Sequence, residues 1–444
     1  MWWAALAFTL GLMALFQQLT RAGPLEARAT LALGFLLLAA HLGGELAKRL
    51  RLPRVTGFLV TGFVVGPAWL GLVRGDEVVA LGFISDAAMA LIAFAAGSQL
   101  KLEMLRRDAV LLARLSVGTM LLPLGLVTAV ILSVSPWFPL TVHQPLGDAL
   151  AVALVLGTIA AASSPSLTVA LIDELDAGNG PVARAVLSVS IVKDVLVVGL
   201  FALVLGNVPL FASPGAVDVT VAWTTLLRGA GSISAGAALG YVASRYARIV
   251  DRDTLLLLVA VAFLAAVAAR FAGLETTLMA LTAGFYVANF APVEGEQLGG
   301  ELKRSAVPVY IVFFALAGAA FQTEALQLLM ENWAWVVLLV ALRALGLRLG
   351  TRFAGGEHAW LGFVSQGGVA LSLGAAARRA FPEWGVSLQA WTVVMVGVHE
   401  IVGPICFRRA LRLTGEVTGG EHVTEKRDAD QPALVSGGSG LSQR

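Results

Sequence analysis

Five polar sites stand where apolar sequence would least tolerate them. Lys193-Asp194 lies inside the apolar run 182–205, and His399-Glu400 lies inside 388–409. Arg343 is central to 332–352. Ser163-Ser164-Pro165-Ser166 interrupts 147–172, and Ser365-Gln366-Gly367-Gly368 interrupts 357–378. A carboxylate beside hydroxyls and freed backbone oxygens is chemistry for a proton or a hard cation. Asp194 can hold a proton or a desolvated alkali cation, not both at full strength. Each expels the other, and that competition is an exchange mechanism. Ser163, Ser164 and Thr168 would add oxygen ligands. The competing reading is that Asp194 only neutralises Lys193, although neighbouring helical residues point about 100° apart and make poor partners.

The two interruptions have a common physical meaning. Pro165 removes an amide and disturbs the preceding turn, while Gly367 and Gly368 weaken the helix locally. The freed carbonyls and amides cannot face lipid, so they must line protein or water. Half-helix ends carry partial charges, negative at the C-terminus and positive at the N-terminus. Two breaks crossing at mid-depth can offset each other and offer oxygens to a cation. Alternatively they are packing kinks whose serines bond back to the previous turn. Their spacing favours a crossing. Gly368 follows Pro165 by 203 residues, and Glu400 follows Asp194 by 206. A broken helix followed by a charged helix therefore occurs twice, about seven spans apart, which predicts two units of inverted orientation.

Lys193, Asp194, Arg343, His399 and Glu400 together would cost on the order of 10 kcal/mol to insert unpaired. Glu400 is the expected counter-charge of Lys193 or Arg343, as a structural ion pair. His399 reads as a satisfied core histidine. Asp86 and Glu275 lie nearer span ends, as a funnel residue and a mouth acid or as ordinary interfacial residues. Gly236-x-x-x-Gly240 reads as close helix packing or a subunit contact.

The elements that must position these groups follow from composition. Of 444 residues 58% are apolar and 14% charged, and mean hydropathy is +0.82. That is an all-α polytopic membrane protein. Long continuous runs favour helices over a β-barrel. Fourteen spans are predicted at about 2–19, 28–47, 54–73, 78–99, 108–134, 147–172, 182–205, 220–243, 254–271, 274–291, 304–322, 332–352, 357–378 and 388–409. The first lacks the basic n-region and cleavage site of a signal peptide. Net charge is +2, which leaves no basic field for nucleic acid, and the one cysteine, Cys406, excludes a disulfide framework or cysteine-based metal centre. No cofactor is expected. With the N-terminus inside, eighteen Lys and Arg fall in cytoplasmic loops and seven outside, with Arg378 and Arg379 the worst exceptions. An inner (plasma) membrane location with both termini cytoplasmic is predicted. Residues 1–27 read as an extra helix, 28–411 as the transmembrane domain and 412–444 as a disordered cytoplasmic tail without a nucleotide-binding domain.

In order along the chain, several motifs resemble the monovalent cation/proton antiporter superfamily, in the branch with Kef-type and bacterial sodium/proton exchangers. They are Leu52-Pro53, Thr56-Gly57-Phe58 through Gly66-Pro67, Phe94 to Leu100, Ser163 to Thr168, Lys193-Asp194, and Pro308 to Gly318 with Phe313-Phe314. The resemblance covers about 28–410. It implies thirteen core helices, a mobile core moving elevator-like against a dimerisation domain, and a homodimer. It also implies that Asp194 carries the ion. Arg343 occupies the place of a basic residue that pairs with the family's first central acid. Here Lys193 replaces that acid, Glu400 becomes the candidate carboxylate, and Gln99 stands where glutamate is common.

The expected function is secondary-active antiport of Na+ or K+ against H+, with one central acid predicting electroneutral exchange. A non-transporting sensor or regulated cation channel is the alternative, since Lys193 repels cations. A membrane enzyme lacks a nucleophile–base signature.

Overall fold

The computed structural model describes residues 2–19, 23–178, 180–249, 254–354 and 356–417. Every regular element among them is helical. The chain begins with α1 (Trp2–Leu19), α2 (Leu25–Arg49), α3 (Arg54–Val65), α4 (Gly75–Ala80), α5 (Gly82–Ser98) and α6 (Leu102–Arg107). It continues through α7 (Ala109–Ser133), α8 (Leu146–Ala160), α9 (Pro165–Leu175), α10 (Pro181–Asn207), α11 (Thr220–Ile249) and α12 (Thr254–Ala272). The last third holds α13 (Thr276–Phe290), α14 (Pro292–Ala319), α15 (Thr323–Glu331), α16 (Trp333–Phe353), α17 (Gly368–Ala380) and α18 (Gly385–Leu413). A 3-10 turn, Ala359–Phe363, precedes α17.

Seven helical stretches among the described residues are long and apolar enough to cross a bilayer, and four shorter apolar helices accompany them. Each expected span contains a helix, but several differ in extent. α3 stops at Val65, because Gly66 and Pro67 turn the chain back before the expected end at 73. α14 starts at Pro292 rather than 304, since proline at the first helical position lacks only an amide that would be unpaired anyway. The expected tail lies, from 418 onward, outside the described residues. Before it, Glu416 folds back to accept the amides of Val182 and Ala183 at 2.7 and 2.9 Å, which caps the helix carrying Asp194.

The helices sort into two packed groups. α2, α3, α5, α12, α13 and α14 pack on one another, and α7, α8, α10, α16, α17 and α18 form the second set. α11 joins α10 to α13, and α9 lies at the boundary against α5, α10 and α18. Polar contacts stitch the boundary at opposite ends. The Glu174 carboxylate accepts the amides of Arg54 and Val55 at the start of α3, at 2.6 and 3.3 Å, and Tyr310 Oη donates to Asp173 at 2.6 Å. At the other end Ser372 Oγ, on α17, donates to Glu275 Oε2 at 2.6 Å. Gly236 and Gly240 face α13, where a Cβ on Gly240 would lie 2.7 Å from the Ala283 carbonyl. The motif therefore packs two helices of one chain and is not a subunit contact.

Candidate ion-exchange site

Both interruptions are real breaks. α8 ends at Ala160 and α9 begins at Pro165, with Ser164 as its N-cap. The Leu167 amide donates to Ser164 Oγ at 3.2 Å, and Thr168 Oγ1 donates to the Ser164 carbonyl at 2.8 Å. Proline at N1 and a serine N-cap are strong start signals, so local sequence alone restarts this helix. The second break leaves Val364 to Gly367 outside any helix before α17 begins. Ser166, in the first turn of α9, and Ser365, within the second break, are both buried. The breaks meet where a Cβ on Gly367 would lie 2.7 Å from Ser164 Oγ, so a larger residue there would have to displace that side chain.

Two broken helices leave two C-terminal ends with unpaired carbonyls inside an apolar unit. Arg343 closes both. Its Nε donates to the Ala160 carbonyl at 2.9 Å and Nη2 to the Ala162 carbonyl at 2.7 Å. Nη2 also donates to the Phe363 carbonyl at 2.9 Å, and Nη1 donates to that of Val364. A guanidinium has five donors in a rigid fork, and its charge opposes the partial negative charge of both helix ends. Gln366 Nε2 adds a bond from the second break to the Ile159 carbonyl at 2.8 Å. A cavity of about 20 Å3 lined by Gln366, Arg343 and Thr392 has room for one water.

On α10, Lys193 and Asp194 are 0% and 2% exposed. Lys193 Nζ donates to Ser163 Oγ at 2.9 Å and to the Thr119 carbonyl at 3.3 Å, and lies 5.3 Å from the Phe363 ring centroid. Asp194 Oδ1 is buried without a hydrogen-bond partner. A buried, unsatisfied carboxylate oxygen costs several kcal/mol unless it holds a proton or a cation. That is the property an exchange site requires.

The expected pairing of Glu400 with Lys193 or Arg343 does not form. Among the described residues Glu400 has no salt bridge. The reason is that backbone oxygens already satisfy Arg343, and Ser163 with Thr119 already holds Lys193. His399 Nδ1 is 2.7 Å from the Met395 carbonyl on its own helix. The structure thus gathers Ser163, Ser164, Lys193, Arg343, Gln366 and Gly367 around the crossing, and among the described residues neither Glu400 nor His399 has a side-chain bond to any of them. Thr119 and Phe363 are neighbours that sequence reasoning missed. The capping role of Arg343 had a signal, because two half-helix C-termini in a bilayer demand a cation. Among the described residues no cluster could hold a resident metal.

Cavities lie to either side of Asp194 along the chain, none of them lined by it. Toward the start of α10, about 340 Å3 opens around Gln99, Asp173 and Tyr310, and about 570 Å3 around Lys101, Arg184 and Ser188. Ser188 lies six residues before Asp194, or about 9 Å along the helix. Toward the other end, about 330 Å3 is lined by Val198, Glu275 and Ser372. Val198 is one turn beyond Asp194.

Comparison with known proteins matches residues 35–408 to the family described as sodium/hydrogen exchanger, transmembrane. Among the curated relatives is the probable Na(+)/H(+) antiporter GerT of Bacillus cereus, 29% identical over 172 residues, covering 38% of this chain and 42% of that protein. The Na(+)/H(+)-K(+) antiporter GerN of Bacillus cereus is 28% identical over 172 residues, 38% of this chain and 40% of that one. The matched stretches thus span about two fifths of these relatives. The sodium proton antiporter MjNhaP1 from Methanocaldococcus jannaschii shares the fold, with TM-score 0.63 and 18% identity over 88% of this chain and all of that one.

Proposed function

We propose, from the premise that this chain belongs to the sodium/hydrogen exchanger family, that it exchanges Na+ or K+ for protons by alternating access. The observation that carries the proposal is Asp194, buried beside the crossing with a carboxylate oxygen that no protein group satisfies. Protonation fills that oxygen in one half of the cycle. A desolvated alkali cation fills it in the other, with Ser163, Ser164 and Thr168 as the expected further oxygen ligands. The group containing α7, α8, α10 and α16 to α18 moves against the group containing α2, α3 and α12 to α14. The cavities at either end of α10 alternately extend to Asp194.

Lys193 keeps its charge on Ser163 and Thr119 throughout, so one cation replaces one proton and exchange is electroneutral. The chain acts as a transporter rather than an enzyme. It sits as a homodimer in the plasma membrane with both termini cytoplasmic, the orientation that loop charge favours. Residues 28–411 form the exchanger unit, with 1–27 as an added helix and 412–444 as a cytoplasmic tail.

The test is transport in proteoliposomes loaded with a pH dye. Sodium or potassium pulses should dissipate a preset proton gradient, and Asp194→Asn should abolish the response with the melting temperature retained. Full exchange in that variant would remove Asp194 from the mechanism. Stimulation by valinomycin under a potassium gradient would overturn electroneutrality. A second reading, a sensor or cation channel on the same fold, is favoured by one observation. The Lys193 ammonium sits on Ser163 inside the crossing, where it repels a cation. Saturable binding of sodium without proton movement would select it.

A further inference from the structure

The loop charge bias has exceptions on its minority side, and the structure brings three of them to one place. Arg228 on α11, Arg270 on α12 and Arg379 on α17 line the same 330 Å3 cavity as Glu275. It opens where α11 and α13 begin and α12 and α17 end, which is headgroup depth for a spanning protein.

Their partners differ. Arg270 Nε donates to Asp86 at 2.8 Å, and its guanidinium lies 5.8 Å from the Phe83 ring centroid. Glu275 is engaged by Ser372 and has no salt bridge among the described residues. Neither Arg228 nor Arg379 has an acidic partner or a side-chain hydrogen bond among the described residues. Arg379 stands in the last turn of α17, where a cation offsets the helix dipole. Arg228 has no such role, because it lies in the third turn of α11. Its guanidinium is instead laid over the turn at Gly273, whose φ is +64° and where a Cβ would lie 3.6 Å from Cζ. With Asp86 set against Arg270 and Glu275 counted as charged, one positive charge remains unmatched.

We propose that this cavity binds a phosphate-class anion between Arg228 and Arg379, either the headgroup of an anionic phospholipid or free inorganic phosphate. Planar guanidinium forks donate to phosphate oxygens in pairs, and basic pockets between membrane helices take anionic headgroups. The bound phosphate ties α17, which continues the chain after the second break, to α11. The site lies in the same cavity that extends toward Asp194 from this side, and it is read by anion binding rather than by exchange.

The test uses the full chain in detergent, with native mass spectrometry for lipid and thermal melting for free anion. Phosphatidylglycerol should be retained about tenfold more tightly than phosphatidylcholine, and the preference should vanish in Arg228→Gln/Arg379→Gln. Alternatively, inorganic phosphate should raise the melting temperature of the native chain but not of that variant. The first result assigns the site to lipid, and the second to a free anion. If the glutamine pair does not fold, Arg228→Lys/Arg379→Lys keeps the charge, loses the fork, and should weaken retention several-fold. Equal retention of both lipids with no phosphate shift overturns the site. So does a preference unchanged in whichever double variant folds.

Discussion

The two broken helices solve the same problem in different ways. At the first, the restarting helix is capped by its own sequence, with Pro165 at its first position and Ser164 accepting the Leu167 amide. At the second, α17 starts from Gly367 with no side-chain cap. The C-terminal ends of both breaks are instead closed by one residue from elsewhere, Arg343. The first break is thus largely a local feature, while the second exists by virtue of what surrounds it.

The largest expected effect comes from removing what the halves share. Arg343→Met should cost about 3–5 kcal/mol, read as melting temperature in detergent, because four carbonyls lose their charged donor at once. Wild-type melting in that variant would show that the two C-terminal ends are closed separately. Gly367→Ala should cost about 1–3 kcal/mol, since its Cβ meets Ser164 Oγ. Adding Ser164→Ala should recover part of that loss, whereas a simple sum of the two costs would mean that the breaks do not touch. Ser164→Ala alone should cost about 1 kcal/mol through the lost cap.

The smallest effect belongs to a reference pair away from both breaks. Hydrogen bonding from Arg28, at 2.6 Å, holds the Asp76 carboxyl below its ordinary value. The folded pKa is depressed, so this contribution is present at neutral pH and disappears as pH falls through that depressed value. Asp76→Asn should cost under about 1 kcal/mol at pH 7 and nothing in strong acid. A larger loss, or one independent of pH, would show that stability is not concentrated at the crossing.

Much of this was written locally. Ser163 to Ser166 and Ser365 to Gly368 betray the breaks because proline, glycine and serine are out of place in apolar helices. Asp194 stands out because an isolated acid in such a run is costly. The Glu400 pairing failed for an equally physical reason. Equal depth along two helices says nothing about which faces meet, and backbone carbonyls compete for Arg343 without leaving any mark in residue type. Thr119, which holds Lys193 through its carbonyl, was invisible for that reason.

Residue order by itself determined the membrane solvent, the helical class, the positions of the two interruptions and the acid between them, because each is a property of a short segment in lipid. Tertiary structure alone decided that the breaks touch at Gly367 and Ser164, that one guanidinium closes both, and that Asp194 keeps a free oxygen. Those depend on the rotation and approach of helices far apart in the chain, and the bonds that fix them are largely to backbone atoms that every residue carries alike.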